Sequence, residues 1–439
     1  MKNHKHQPFF PKSPLIYSLL LLPFLITACF NPEPEPVPSI QLDVDYRGTD
    51  FVWLRLSVEE TVKDLHYLIR RNNEDRFTGQ FSGRDTLITD TSLTPGTEYY
   101  YTVYGLKKGE PVDSGDTVPV TTLPLSSHNF HWEIDTLGEY GSMLRDVFAF
   151  SENDVWVVGE IITNVHTGER YGAAVWDGNK WNLKKLIVGV SSVRPRGIWG
   201  VAQNDIWFAC GSIYHWNGEI TTAKWLRDTN TTESVEKVWG TSSTNLYFVG
   251  DKGTIVHYDG SQYRRMESGT DADLKDIDGI YDPETGQTRI WVAGTGVLLY
   301  SEGETWEVVW DFDHPFFKDN YKNPTAIYIP DNKSIIIATW NGSKTKVTLH
   351  RQESFNIYHT LVNNDDIYIL SMSGNNMNDF FMAGTYTEVA HYNGLMIHSF
   401  SELKDYGILW NCIQKDNHSY VVGYQGGGFA RAVIFRGIR

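Results

Sequence analysis

Along residues 144–439, short apolar runs alternate with polar turns in a pattern that recurs about seven times. Residues 235–263 show it most clearly: an apolar run ends in Trp239-Gly240, a second run stops at Gly250, and a third ends in Asp259-Gly260. Each run has the length of a β-strand, and the turns contain residues that favour chain reversal. Repeats of roughly 40–50 residues that each hold several strands are typical of a β-propeller.

The first two strands of each repeat can be aligned across all seven copies. We expect the first strands at residues 147–150, 197–200, 238–240, 277–280, 326–329, 367–370 and 407–410. We expect the second strands at residues 155–159, 206–210, 246–250, 290–294, 335–339, 380–384 and 419–423. The second runs are almost entirely apolar, as is usual for strands covered on both faces by neighbouring sheets. Most of them end in Gly, replaced only by Cys210 and Thr339, and we expect this Gly to let the chain turn sharply toward the third strand.

Several third strands end in an aromatic residue followed by Asp-Gly or Asn-Gly, which is a strong hairpin signal. Examples are Trp176-Asp177-Gly178 and Tyr392-Asn393-Gly394. His215, His257 and His391 occupy equivalent positions in three different third strands. Because blades would hold these histidines apart, the repetition indicates a structural role.

The two ends of the repeat region are complementary. The last repeat stops after residues 433–435 without an outer strand, whereas residues 131–135 resemble an outer strand that belongs to no repeat. We expect residues 131–135 to complete the final sheet, because this pairing would close the ring and remove an exposed edge. The sequence thus predicts seven blades, with six or eight as alternatives because the fourth and fifth repeats diverge most.

Residues 39–123 carry a different pattern, with short alternating strands at residues 51–58, 65–71, 86–89 and 99–104. This spacing predicts a β-sandwich of roughly 85 residues. Residues 93–103, Leu-Thr-Pro-Gly-Thr-Glu-Tyr-Tyr-Tyr-Thr-Val, resemble the signature that leads into the sixth strand of fibronectin type III domains. The resemblance implies that Tyr99 is the tyrosine-corner residue, with its hydroxyl bonded back to the turn. Trp53 departs from that family, because it lies early in its strand and not near the end.

The repeats at residues 128–439 resemble a family of bacterial envelope propellers with the consensus Trp-Gly-x-Ser-x-x-Asn-x-Tyr/Trp-x-Val-Gly. The copy from Trp239 to Gly250 shows it most fully. The resemblance implies an all-β fold and an envelope location, and it does not specify a ligand.

The first 28 residues have the pattern of a bacterial export signal. Lys2, Lys5 and Lys12 precede an apolar stretch at residues 15–26, and Ile26-Thr27-Ala28-Cys29 follows. This tetrapeptide resembles the lipobox, which implies that Cys29 is acylated and anchors an exported lipoprotein, with the outer membrane as the expected site. The alternatives are an ordinary signal peptide and, less well supported, a membrane span, since the apolar stretch is short and contains Pro23. Residues 29–38 alternate Pro with Glu and form a spacer of the extended type.

The charge balance argues against nucleic acid as a partner. The chain has 54 acidic and 38 basic residues, and the leader contains only basic ones, so its removal makes the charge more negative than −16. Such a surface repels nucleic acid and anionic headgroups, so the lipid would hold the protein to the membrane. Of the three cysteines, Cys210 and Cys412 would lie two blades apart around the predicted ring and are expected to be buried and unpaired.

Polar residues recur just before the predicted innermost strands, where a propeller has the mouth of its central channel. They are Arg145, Asp146, Arg196, Glu236, Lys237, Lys275, Asp276, Thr325, Asp365, Asp366 and Tyr406. A polar ring around a concave mouth is the default ligand site of this fold, and its mixed charges would suit a glycan or a polar peptide segment. The alternative is that these residues are solvated loop ends.

No catalytic motif stands out in the sequence. A Gly-x-Ser-x-Gly elbow, a His-Glu-x-x-His pair and paired Cys-x-x-Cys motifs are all missing. Residues 271–279 are acid-rich but lack calcium-loop spacing, and no cofactor is predicted. The favoured function is therefore binding or scaffolding of a protein or glycan at the envelope. The alternative is a carbohydrate-active enzyme that uses Asp146, Asp276 and Asp366 as a carboxylate set.

Overall fold

The computed structural model describes residues 39–59, 65–81, 83–226, 233–311, 323–352, 357–365, 368–427 and 430–439. The predicted signal peptide, Cys29 and the spacer lie outside these residues. The described chain is all-β, apart from two short 3₁₀ turns at Asp251–Gly253 and Ser401–Leu403. Within it, no helix is long and apolar enough to cross a membrane.

The N-terminal part consists of two antiparallel sheets that share one apolar core. Its strands are β1 (Ile40–Arg47), β2 (Phe51–Val58), β3 (His66–Arg71), β4 (Glu74–Gln80), β5 (Asp85–Thr91), β6 (Glu98–Lys107) and β7 (Glu110–Thr121). They pair in the orders β1-β2-β5 and β4-β3-β6-β7. Tyr101 and Val103 are buried in this core, and the Tyr99 hydroxyl accepts a hydrogen bond from the backbone N–H of Thr94 at 2.9 Å. This contact fixes the turn before β6.

The C-terminal part contains seven four-stranded antiparallel sheets within its described residues. Sheets 1 to 3 are β9 to β12 (Met143–Ser151, Asp154–Asn164, Glu169–Trp176, Trp181–Lys184), β15 to β18 (Gly197–Ala202, Asp205–Cys210, Ser212–Trp216, Thr221–Trp225) and β19 to β22 (Val235–Ser242, Asn245–Gly250, Ile255–Tyr258, Tyr263–Met266). A two-stranded hairpin of β13 (Ile187–Val188) and β14 (Ser191–Ser192) follows sheet 1.

The remaining four sheets continue the same order. Sheets 4 to 6 are β23 to β26 (Leu274–Tyr281, Thr288–Gly294, Val297–Ser301, Trp306–Trp310), β27 to β30 (Asn323–Tyr328, Ser334–Trp340, Lys344–Arg351, Ile357–Asp365) and β31 to β34 (Ile369–Asn376, Asp379–Gly384, Val389–Tyr392, Ile397–Ser399). Sheet 7 is β35 to β37 (Gly407–Lys415, His418–Gln425, Arg431–Ile438), with β8 (His131–Leu137) as its fourth strand.

The first strands of these sheets contact one another in cyclic order. Each first strand contacts that of the next sheet, and β35 of sheet 7 contacts β9 of sheet 1. The second strands are buried, as the near-continuous apolar runs predicted, and they fill the space between neighbouring sheets. β8 pairs with β37 along seven residues, so both ends of this part share one sheet. The arrangement is that of a β-propeller.

The Gly at the end of the second strands has a different purpose from the one expected. Gly250 has an extended backbone with φ −177°, so no left-handed turn requires it. A Cβ added there would lie 2.0 Å from the Ser234 carbonyl oxygen, and one at Gly384 would lie 2.1 Å from that of Tyr368. The register of the first strand shifts at both places, and this bulge brings its backbone against the second strand. Glycine therefore permits a close approach of two backbones.

The N-terminal part packs directly against sheets 5 and 6. Along β2, Leu54 and Leu56 enter its own core, whereas Phe51 and Trp53 enter a cluster with residues of the propeller such as Tyr328. Trp53 is fully buried there, which explains why it departs from the position of a fibronectin-type core Trp. Across the same joint, the Asp45 carboxylate pairs with Arg351 at 2.7 Å. The two parts thus share an apolar joint with a buried ion pair.

Candidate functional site

A cavity of about 450 Å³ opens where the first strands begin. Every one of the seven sheets contributes residues to its wall. The lining residues are Arg145, Arg196, Glu236, Lys237, Asp251, Leu274, Lys275, Thr295, Asn323, Pro324, Thr325, Tyr368, Leu370 and Trp410. We call this the mouth cavity, and it has the size range of a small-ligand or peptide-end site.

Six of the predicted ring positions line the mouth cavity: Arg145, Arg196, Glu236, Lys237, Lys275 and Thr325. They come from five different sheets, although they are far apart in the sequence. Tyr406 is 71% exposed and lies beside the cavity, next to the start of β35, without lining it. The side chain of Asp365 and all of Asp366 lie outside the described part of the chain.

Asp146 and Asp276 do not belong to the mouth, contrary to the prediction. Both line a separate space of about 210 Å³ farther along the channel, together with Asp278 and Lys237. Side chains alternate between the two faces of a strand. Arg145 and Lys275 therefore face the mouth cavity, whereas their neighbours Asp146 and Asp276 face the space farther along the channel. Lys237 reaches both spaces.

The channel carboxylates tie neighbouring sheets together. Asp276 accepts backbone N–H groups from its own strand and from Ile327 of sheet 5, the latter at 2.9 Å. Asp278 does the same with Ile329 at 2.8 Å, and Asp146 accepts the N–H of Ile198 in sheet 2 at 3.1 Å. These bonds occupy both oxygens of each carboxylate.

Serine side chains take the same role between sheets 6 and 7. The hydroxyl oxygens of Ser371 and Ser373 accept the N–H groups of Cys412 and Gln414, each at 3.2 Å. Polar side chains at these positions thus accept hydrogen bonds from backbone N–H groups that have no partner in the ladder of their own sheet.

Burial raises the pKa of all three channel carboxyls. The pKa rises to about 6 for Asp276 and about 7 for Asp278, while Lys237 and the backbone N–H groups oppose the rise at Asp276. The pKa of Asp146 is also raised by burial, against the attraction of Lys237, whose ammonium lies 3.3 Å away. Raised carboxyl pKa values often mark catalytic acids, but here the carboxylate oxygens are engaged by structural hydrogen bonds.

The charges of the mouth cavity run opposite to those of the whole chain. Its wall holds four cations, Arg145, Arg196, Lys237 and Lys275, and two carboxylates, Glu236 and Asp251. Arg196 pairs with Glu236 at 2.9 Å, and Asp251 accepts a hydrogen bond from Ser234 at 2.6 Å. A protein with a net charge of −16 therefore places a local excess of positive charge in the mouth cavity.

Arg145 and Trp410 form the part of the wall where sheets 1 and 7 meet. The guanidinium carbon lies 4.4 Å from the centroid of the indole ring, which is a cation–π contact. Burial, and then repulsion from Arg196, lower the pKa of Arg145. Among the described residues, no carboxylate lies within ion-pair distance of its guanidinium.

Several lining residues were missed from the sequence. Tyr368, Leu370 and Trp410 were assigned to first strands without being singled out as candidate ligand residues, although they line the cavity. Asp251, Thr295 and Pro324 were not singled out. The available signal was position: each lies at the mouth end of its strand or in an adjoining turn, as do the ring residues.

The repeated histidines are structural, as predicted. His215, His257 and His391 lie against the aromatic rings of Trp207, Tyr247 and Phe381 at 4.4, 4.4 and 4.8 Å. Their Nε2 atoms contact side-chain oxygens at the start of the second strand, namely those of Asp205, Asn245 and Asp379. Over the described residues, no group of three or more potential ligands is arranged to hold a metal ion.

Comparison with known proteins shows the fold. No protein-family model and no curated protein sequence matches the chain. The solved structure described as YCF48 bound to D1 peptide aligns with a TM-score of 0.52 and 13% identity, covering 72% of this chain and 97% of the other. The WD40 β-propeller domain of Doa1 aligns with a TM-score of 0.49 and 13% identity, over 69% and 96% of the two chains. At this identity, the first alignment supports a β-propeller and nothing finer.

Proposed function

We propose that this chain is a lipid-anchored binding or scaffold protein of a bacterial cell envelope, which engages a protein or glycan partner through the mouth cavity. The observation that carries the proposal is the contribution of all seven sheets to one concave, positively charged opening. In the solved propeller YCF48, the bound molecule is a peptide, and a peptide partner is the more direct analogy. The proposal includes no cofactor and no nucleic acid.

The proposed organisation follows the sequence divisions. Residues 1–28 are a signal peptide, Cys29 carries lipid, and residues 29–38 are a spacer. Residues 39–123 are a fibronectin type III-like domain, and residues 128–439 are a propeller of seven blades closed by β8. Support for seven blades comes from the cyclic contacts of the first strands, and support for the closure comes from the β8–β37 pairing.

The anchor has its own test. Cells that express the protein are labelled with [³H]-palmitate, and label should be lost in the C29A variant while the protein is still exported. Undiminished label in C29A would contradict the lipid anchor and would leave the binding proposal to its own experiment.

The alternative is a carbohydrate-active enzyme that uses Asp146, Asp276 and Asp366. Asp146 and Asp276 give this hypothesis little support, because their oxygens accept backbone hydrogen bonds inside the channel. A hydrolysis screen over glycan substrates distinguishes the two functions. Turnover that is abolished by D146N or D276N, with folding retained, would establish the enzyme.

The binding function is tested by capture of partners from solubilised envelope with two charge-reversed variants. R196E/K275E changes two exposed cations of the mouth, and K224E/R264E changes two exposed cations on outer strands by the same total charge. We expect the captured partner to be lost only in R196E/K275E, with equal melting temperatures. Equal capture by both variants would contradict binding through the mouth.

A further inference from the structure

The unpaired cation of the mouth cavity is the starting point. Arg196 has Glu236 and Lys275 has Asp273 at 3.3 Å, whereas Arg145 contacts only the face of Trp410 among the described residues. A guanidinium has five donors, and a half-buried one without an acceptor is an unfavourable arrangement unless a ligand supplies it. Glu236 attracts Arg145 across the cavity but is paired with Arg196, so among the described residues no anionic group lies within ion-pair distance of Arg145.

A second donor lies at the same place. The indole N–H of Trp410 is buried and has no hydrogen-bond partner in the described part of the chain. Buried donors of this kind are rare and mark a position where an acceptor is expected. Arg145 and Trp410 thus place two donors without acceptors in the same part of the cavity wall.

Part of the wall is apolar. Leu274, Pro324 and Leu370 line the cavity beside the cations, and so does the ring of Tyr368. This combination suits an anionic group that is attached to an apolar side chain. A peptide provides both within a single residue, whereas an acidic sugar surrounds its carboxylate with hydroxyl groups that these walls would leave unsatisfied.

The rim next to Trp410 carries a strained, exposed aromatic residue. In the turn between β32 and β33, Tyr386 and Thr387 have φ values of 58° and 49°, a region that costs a non-glycine residue about 1 kcal/mol or more. The corresponding turns of sheets 2 and 4 use Gly211 and Gly296 for this conformation. The buried hydrogen bonds of the Thr387 hydroxyl explain the positive φ of that residue, whereas Tyr386 is 60% exposed.

Tyr386 is close to the mouth. Its backbone N–H donates to the carbonyl of Gly407, where β35 begins, three residues before Trp410. Tyr406, 71% exposed, immediately precedes the same strand. Exposed tyrosines near the strand that carries Trp410, in a face that also holds arginines, match the composition of binding hot spots in protein interfaces.

We propose that the mouth cavity binds the carboxylate of an extended peptide segment, with Arg145 and the Trp410 N–H as donors and with the peptide leaving across Tyr386 and Tyr406. This inference rests on the proposed function and specifies its ligand. The carboxylate belongs either to a peptide C-terminus or to an Asp or Glu side chain, because both present the same group to the cavity.

The test uses the full chain in detergent and an array of hexapeptides in three families. The first has free C-termini and no acidic side chains, the second has amidated C-termini with Asp or Glu, and the third is amidated and without acids. We expect binding to the first or second family, which identifies the source of the carboxylate, and none to the third. Equal binding to the third family, or no binding to any, would overturn the inference.

Variants then locate the interaction. R145Q should weaken binding of the best probe at least tenfold, R145K should recover part of the loss, and R264Q, an exposed arginine of β22, should have no effect. R196Q serves as a second mouth variant if R145Q does not fold. Unchanged binding in the folded mouth variants would overturn the inference. So would Arg145-dependent binding of polygalacturonate, an acidic glycan, with no peptide bound.

The inference and the proposed function fail separately. If R196E/K275E still loses an envelope partner while no peptide carboxylate binds, the mouth remains the binding face and only the ligand class is wrong. If neither result is obtained, both are wrong.

Discussion

The guanidinium of Arg145 lies over the indole ring of Trp410, 4.4 Å from its centroid, and joins the first sheet of the propeller to the last. The two residues are far apart in the sequence and meet because the ends of the repeat region share sheet 7. The mouth cavity is therefore complete only when the chain ends are paired. Its binding properties and the integrity of the ring are linked.

Removal of the Arg436 side chain should destabilise this junction. Arg436 is largely buried, pairs with Glu133 and Asp135 of β8 at 2.5 Å each, and lies over the ring of Trp176 in sheet 1. We expect R436Q to lower the free energy of unfolding by roughly 2 kcal/mol, because it removes the cation that Glu133 and Asp135 share, together with the ring contact to Trp176. The measurement is urea denaturation followed by tryptophan fluorescence.

An exposed ion pair provides the control for Arg436. Lys185 and Glu169 lie 2.8 Å apart with more than 40% of each side chain exposed. K185Q should cost at most about 1 kcal/mol. A loss in R436Q no larger than that in K185Q would mean that the pairing of β8 contributes little to the fold.

Trp53 should hold the N-terminal part against the propeller. W53A removes a fully buried ring from the joint with sheets 5 and 6, and we expect a loss of about 3–5 kcal/mol. Calorimetry should resolve separate transitions for the two parts in this variant. I69A, in the core of the N-terminal part alone, is the control and should destabilise that part without separating the joint. A cost below about 1 kcal/mol for W53A would contradict the joint.

The channel carboxyls should make stability fall as the pH rises. Asp276 and Asp278 have pKa values raised to about 6 and about 7 by burial, so between about pH 4 and pH 7 the folded state holds protons that the unfolded state has lost. The stability that these protons provide is fully present below the pKa that the carboxyl groups have in the unfolded state. It is lost as the pH rises through their pKa values in the folded state. One pKa unit corresponds to about 1.4 kcal/mol, so the total change is a few kcal/mol.

The double variant D276N/D278N isolates that effect from other titrating groups. Each carboxyl group accepts one backbone N–H on each of its two oxygens, and the NH2 group of Asn cannot accept the second one, so the variant should be less stable than the parent at pH 4. Its deficit should shrink between pH 4 and pH 8, since the parent alone acquires the buried charges. A deficit that is constant or grows over this range would show that these carboxyls are ionised throughout.

The glycines that end the second strands should not tolerate a side chain. In G250A the new Cβ would lie 2.0 Å from a backbone oxygen, and we expect a loss of about 3 kcal/mol or more, measured by thermal denaturation. G427A is the matched control, because no atom lies within 4 Å of the added Cβ. Similar stability of both variants would contradict the close approach of the two strands.

The sequence predicted the strands well because the repeats supply seven copies of one pattern, so apolar runs and turns could be aligned with one another. It also located six of the fourteen residues that line the mouth cavity, since strand beginnings share a face of a propeller. It placed Asp146 and Asp276 wrongly. Near a bulge, the face of the strand on which a side chain lies depends on the register of the strand, and one sequence does not show that register. The burial of Trp53 in the joint could not be predicted, because its partners in the propeller, such as Tyr328, lie more than 270 residues away in the sequence.

The central claim is that the partner lies on the mouth face, and site-specific photo-crosslinking tests it most directly. A benzophenone amino acid replaces Tyr406 beside the mouth or Tyr281 at the far end of β23, both at least half exposed. After illumination in the native envelope, we expect a crosslinked partner from position 406 and none from position 281. A partner captured only from position 281, or equally from both, would contradict it.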